Sequence, residues 1–107
     1  MQETNFVLTE GEEKAMIGIL YNHLVYVTTM EVFGEIAEGG IGRIATLRSL
    51  LGKLLKKYDL VKTLPPDAFL ILGLTEFLTR EQIEAWSTGV NAHLKKRAEY
   101  FLKLQKS

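Results

Sequence analysis

Three sets of residues in this chain have types and spacing that could do chemistry. Glu31, Glu35 and Glu38 recur at helical spacing and would stack on one face, where paired carboxylates can move protons or hold Mg²⁺. Such a site needs a second acidic motif on the following helix, and that segment is basic. The glutamates therefore read as a solvated face, or as partners for Lys53, Lys56 or Lys57. Gly39-Gly40-Ile41-Gly42-Arg43 could cradle a phosphate at a helix start. It lacks the Lys-Ser/Thr of a P-loop and the strand that precedes a dinucleotide site, so it reads as a turn. The third set is Arg43, Thr46, Arg48, Ser49 and Lys53, short polar side chains and cations gathered on and beside the outer side of one predicted helix. A helix entering a DNA major groove needs that mixture, with short groups near the base edges and cations near the phosphates.

The other candidates give less. His23 falls on the apolar stripe of a predicted helix, and His93 adjoins the seam of the last one, where a pH-sensitive packing role is open to it. No Glu-x-x-His occurs, which leaves a di-iron bundle site unsupported. Ser49, Ser87 and Ser107 lie outside any nucleophile-elbow context, and there is no cysteine to serve as nucleophile, disulfide partner or thiolate ligand. The expectation is a protein that is not an enzyme and holds neither metal nor cofactor.

The elements that must carry these residues are marked by three S/T-x-x-E/Q capping boxes, at Thr9, Thr28 and Thr79. The first predicts a helix from about Glu10 to Val25, with Ala15, Met16, Ile19, Leu20, His23 and Leu24 on one stripe. The β-branched run Val25-Tyr26-Val27-Thr28-Thr29 predicts a break, and a short second helix then covers Met30 to Glu38. The glycine turn leads to a third helix over Arg43–Tyr58, with Ile44, Leu47, Leu50, Leu51, Leu54, Leu55 and Tyr58 on its apolar face. Its other face carries Ala45, Thr46, Ser49, Gly52, Lys53 and Lys56, small enough in part to admit a second helix instead of DNA. Residues 60–75 fit either a small β-hairpin around Pro65-Pro66-Asp67 or a buried helix capped by Asp67 and running to Leu78. One long helix, Arg80 to about Leu104, ends the chain. Its four–three seam comprises Ile83, Ser87, Val90, Leu94, Arg97, Phe101 and Leu104, widened by Trp86 and Tyr100.

With 107 residues, of which 47% are hydrophobic and 24% charged, the composition is that of one globular domain. The longest uncharged run, Ala15 to Met30, is shorter than the roughly 20 apolar residues of a membrane span. The start of the chain has no basic region followed by an apolar core, so a cytoplasmic location is expected. The net charge of zero hides alternating blocks: −6 over residues 1–40, +5 over 41–63, −3 over 64–89 and +4 over 90–107. Such blocks either pair within a fold, drive self-association or face a polyanion.

The segments TTMEVFGEIA (28–37), EGGIG (38–42), RIATLRSLLGKLLKKYDLVK (43–62) and LGLTEFLTREQIEAW (72–86) together resemble a winged helix-turn-helix, MarR-like in flavour. The resemblance implies a mainly α, winged-helix-like domain with a short or absent β-wing. Its helix-turn-helix core would span about 28–78 and its C-terminal dimerisation helix about 80–105. The alternative is an all-α five-helix bundle. The resemblance further implies a dimeric regulator of transcription that binds double-stranded DNA through Arg43, Thr46, Arg48, Ser49 and Lys53. The dimer would form through the first and last helices, with Ile83, Trp86, Val90, Leu94 and Phe101 at the interface. The rival expectation is a non-enzymatic helical module that binds a protein partner as inhibitor, adaptor or assembly factor.

Overall fold

A computed structural model of the chain describes residues 7–35 and 43–105. The described residues form five α-helices, with no strand among them. They are α1 (Glu10–Val32), α2 (Ile44–Lys57), α3 (Pro66–Leu72), α4 (Arg80–Ser87) and α5 (Ala92–Gln105). The fold is mainly α. The glycine turn and Glu38 lie outside the described residues.

The capping box at Thr9 forms as expected: the Thr9 N–H donates to Glu12 Oε1 at 2.8 Å and the Glu12 N–H to Thr9 Oγ1 at 3.1 Å. The helix it starts does not break at Val25–Thr29 but continues to Val32. Each β-branched residue costs a helix only a few tenths of a kcal/mol, and here Val27 and Thr28 are buried in return. The second capping box therefore does not exist. Thr28 lies inside α1, and its hydroxyl donates to the Leu72 carbonyl 44 residues away. The chain turns later, at Gly34, whose φ of +76° closes the helix end while the Glu35 N–H returns to the Met30 carbonyl at 2.8 Å.

Helix α2 falls within the expected range, with Ile44, Leu51, Leu54 and Leu55 buried and Leu50 left at the surface. Gly52, expected on the outer face, is buried against Phe77. Residues 60–78 form no hairpin. A single 3-10 turn (Val61–Thr63) leads to Pro65 as N-cap, α3 follows, and a second 3-10 turn covers Thr75–Phe77. Asp67 stands in the first turn of α3 and is not its cap. Proline at the first helical position has φ preset and no N–H to leave unpaired.

The long last helix is in fact two. Thr79 and Gln82 form their capping box, but α4 ends at Ser87, and Asn91 caps α5 by accepting from the His93 and Leu94 N–H groups at 3.0 and 3.1 Å. Thr88-Gly89-Val90-Asn91 turns the chain so that α4 folds back on α5. The four–three spacing ran across this turn because periodicity ignores a glycine and an N-cap asparagine.

Two cores result, and α3 belongs to both. Phe69 and Leu72 pack with Leu20, Leu24, Val27, Leu51 and Leu55 of α1 and α2. Leu70 packs with Ile83, Ala98 and Phe101 of α4 and α5 and with Val32. Helix α3 ends at Gly73, with φ +80° and the Leu74 N–H bonded to the Phe69 carbonyl.

A Cβ on Gly73 would lie 2.5 Å from Arg48 Nε and 2.7 Å from its Cζ, whereas one on Gly34 would meet nothing within 4 Å. Gly34→Ala is expected to cost about 1–2 kcal/mol for the left-handed backbone alone. Gly73→Ala should cost a further ~1–3 kcal/mol, because the guanidinium must leave a buried carbonyl. Urea denaturation of the two variants measures the difference.

Candidate functional site

The candidate surfaces are the outer sides of α2 and α1, and the first question is which cations remain on them. Arg43, Thr46, Ser49 and Lys53 are exposed along α2. Arg48 is not on that surface. Its Nε donates to the Leu72 carbonyl at 3.1 Å, and Nη2 donates to Thr28 Oγ1 at 2.8 Å and to Glu31 Oε1 at 2.9 Å. The Glu31 side chain is 4% exposed. Arg48 sits four residues after Ile44 and three before Leu51, which is the buried stripe of α2, so it projects inward. The expectation that it contacts DNA is corrected by this placement.

Arg97 repeats the arrangement from α5. It is 1% exposed and donates to the Ile71 carbonyl at 3.2 Å, to Thr29 Oγ1 at 2.6 Å and to His93 Nε2 at 3.1 Å. Among the described residues it forms no ion pair, and burial pushes its guanidinium pKa down. The sequence showed Arg97 only as a polar interruption in an apolar seam. Its partners Ile71 and Thr29 are 26 and 68 residues away.

The charge blocks pair in part within the fold. Lys56 reaches Glu76 at 3.3 Å, and Lys57 reaches Glu13 at 2.7 Å. Tyr58 also donates its hydroxyl to Glu13. The hydrogen bonds from Lys57 and Tyr58 hold the Glu13 carboxyl below its ordinary 4.5, and the same contact pushes the Tyr58 hydroxyl up to about 12.

The interface expected on the last helix is not one outward seam. Ile83 and Phe101 lie in the core shared with Leu70, and Trp86 and Leu94 pack partly buried against it. Val90 alone is fully exposed, at the tip of the α4–α5 turn. The cause is the break at 88–91, which turns the seam's two halves on to each other. Trp86 and Tyr100, which widen that seam in the sequence, are likewise half-buried.

The exposed apolar surface lies instead on α1. This helix has its charged residues near its two ends, and its middle mixes apolar side chains with the exposed Asn22 and His23. Leu20, Leu24 and Val27 face the core, while Ile19 is 68%, Tyr26 63% and Phe33 41% exposed. From Ala15 to Met30 the helix carries no Asp, Glu, Lys or Arg. At its far end the Lys96 ammonium stands 5.4 Å above the Phe33 ring. The expected stripe of Ile19, Leu20, His23 and Leu24 is thus divided, with Ile19 and His23 facing solvent. Among the described residues no group of three His, Cys, Asp or Glu could hold a metal ion, and no helix is long and apolar enough to cross a membrane.

Comparison of the chain with known family models, with curated proteins and with solved structures finds no match in any of the three.

Arg48→Met is expected to destabilise the fold by about 2–3 kcal/mol, since it removes the guanidinium from the Glu31 carboxylate, the Thr28 hydroxyl and the Leu72 carbonyl together. Glu31→Gln, which keeps an acceptor for the guanidinium, should cost less. Urea midpoints of both variants check this. Glu13 supplies the acid arm. A carboxyl whose pKa is lowered on folding stabilises above its ordinary 4.5, and that contribution is lost as pH falls through the lower folded value. Glu13→Gln should therefore flatten the loss of stability below about pH 4.5, read by urea midpoints across an acid series.

Proposed function

We propose that this chain is a non-enzymatic helical protein–protein interaction module that docks through the outer face of α1. One observation carries the reading: the stretch Ala15–Met30 of α1, which has no charged side chain, is covered by the described residues on one side only. An uncharged helix face of that length ordinarily packs against other protein. Here Ile19 and Tyr26 stand in solvent seven residues apart within that uncharged stretch, and Phe33, seven further on, is partly covered by Lys96 and His93. Exposed apolar surface gathered in one place marks an interaction site more often than scattered single residues do. The pairing of Lys56 and Lys57 with Glu76 and Glu13 adds support, because it interleaves acids with bases on the surface. A surface built to hold a polyanion would separate them.

A second reading is a dimeric winged-helix regulator on double-stranded DNA, and one observation favours it. Arg43, Thr46, Ser49 and Lys53 are all exposed along α2. It has lost Arg48 from its contact set, and it leaves the face of α1 without a role.

Photo-cross-linking separates the two readings. With benzoylphenylalanine in place of Tyr26, protein adducts in the expressing cell are expected, and Ile19→Glu should abolish them. With the same group in place of Thr46, nucleic-acid adducts would favour the DNA reading. An absence of protein adducts from position 26 overturns the interaction module.

A further inference from the structure

Resting on the reading of α1 as a docking face, we infer that its occupant is a second copy of this chain, laid antiparallel with Ile19 against the partner's Tyr26. The argument starts from spacing. Glu12, Ile19, Tyr26 and Phe33 recur every seven residues, so they form one line along the exposed side of α1, which is the repeat of a two-helix seam. Small residues flank that line: Gly11, Ala15 and Gly18 are exposed, and a Cβ at Gly11 or Gly18 would meet nothing within 4 Å. Another backbone can therefore approach closely.

Charge then selects the partner and its direction. The line has an acid at one end, Glu12, and a cation at the other, where Lys96 stands over Phe33. In the first turn of α1 Glu10 pairs with Lys14 and Glu13 with Lys57, which leaves Glu12 to face an incoming cation, and the last turn holds no basic residue of its own. An antiparallel copy brings each Glu12 to the partner's Lys96, twice by symmetry, and opposes the two helix dipoles. A parallel copy would set Glu12 against the partner's Glu12.

The register follows from matching the ends. With Glu12 opposite the partner's Phe33, Ile19 falls opposite the partner's Tyr26, and Ala15 opposite the partner's Met30. The two-fold axis then passes between Asn22 and His23, so the polar pair meets at the centre. Asn22 and His23 are both exposed, and an amide facing an imidazole leaves neither unsatisfied at the middle of the seam. The two most exposed apolar groups of the helix, Ile19 and Tyr26, cover one another on either side of that centre. The interface is isologous and closes at two copies, which leaves no open edge for further growth.

The test uses the purified full chain, which has no native cysteine. Light scattering over a concentration series should show the 12.1 kDa mass double. Ile19→Glu should weaken the association at least ~10-fold, about 1.4 kcal/mol or more, with the circular dichroism of the chain unchanged. Under mild oxidation, a mixture of Ile19→Cys and Tyr26→Cys chains should form a disulfide between the two variants, while neither variant alone links to itself. Self-linking of Ile19→Cys would show a parallel pair and overturn the register. A dimer indifferent to Ile19→Glu would overturn α1 as the interface altogether. A monomer at every concentration would remove the second copy as occupant. If protein adducts from position 26 persist in that case, the interaction module stands with another partner. If they do not, both proposals fall.

Discussion

Two inward-turned guanidiniums on the carboxyl end of one short helix, Arg97 buried and Arg48 half-buried, hold this fold together. Helix α3 has seven residues and lies between the two cores, so its last carbonyls point into protein and not into water. Leaving a buried carbonyl unpaired costs about 1–3 kcal/mol. Arg48 from α2 takes the Leu72 carbonyl and Arg97 from α5 takes that of Ile71. Both cations stand at the negative end of the α3 dipole, which favours them there. The adjacent threonines of α1 complete the arrangement, with Thr28 accepting from Arg48 and Thr29 from Arg97. Four helices therefore meet at one hydrogen-bonded junction. Gly73 gives Arg48 its place, because a Cβ there would occupy the position of the guanidinium.

That junction explains why α1 runs unbroken through a segment of β-branched residues. The two threonine hydroxyls have long-range work: Thr28 bonds the Leu72 carbonyl, while Thr29 returns to the Val25 carbonyl and receives Arg97. These bonds exist only if residues 25–32 are helical, since the adjacent side chains must reach different arginines. Tertiary contacts of this size override a propensity deficit of a few tenths of a kcal/mol per residue. The same continuity creates the long outer face of α1. Had the helix broken at Val25, Ile19 and Phe33 would not share a line, and the surface argued to dock a second copy would be absent.

Turning arginines inward also redistributes the surface. The block of bases in residues 41–63 suggested a polycationic face on α2, yet Arg48 is withdrawn and Lys56 and Lys57 are matched by acids from elsewhere in the chain. Arg43, Lys53 and two short hydroxyls stay exposed along α2, and Lys62 beyond it. The uncharged stretch of α1, by contrast, has no counterpart on its outer side among the described residues. Three cations of the basic block are thus matched within the chain, and the exposed apolar area of α1 is not.

Local chemistry by itself determined the mainly helical character, the capped starts at Thr9 and Thr79, and the apolar stripe of α2. Those depend on hydrogen bonds three residues apart and on side chains three or four apart, all of which are written in order along the chain. Tertiary structure alone decided the fate of Thr28, Arg48, Arg97 and the seam of residues 83–101. Thr28-x-x-Glu31 is a capping box by pattern, but its groups find better partners from α2 and α3. Arg48 reads as surface because it is charged, although its position is on the buried stripe. Ile83 and Phe101 read as an outward seam because one turn, with a glycine and an N-cap asparagine, was passed over. The seam is divided by a local turn, but for Thr28, Arg48 and Arg97 the deciding contact lies 17 or more residues away in sequence, as from Arg48 to Glu31. Only folding sets the distance between such groups.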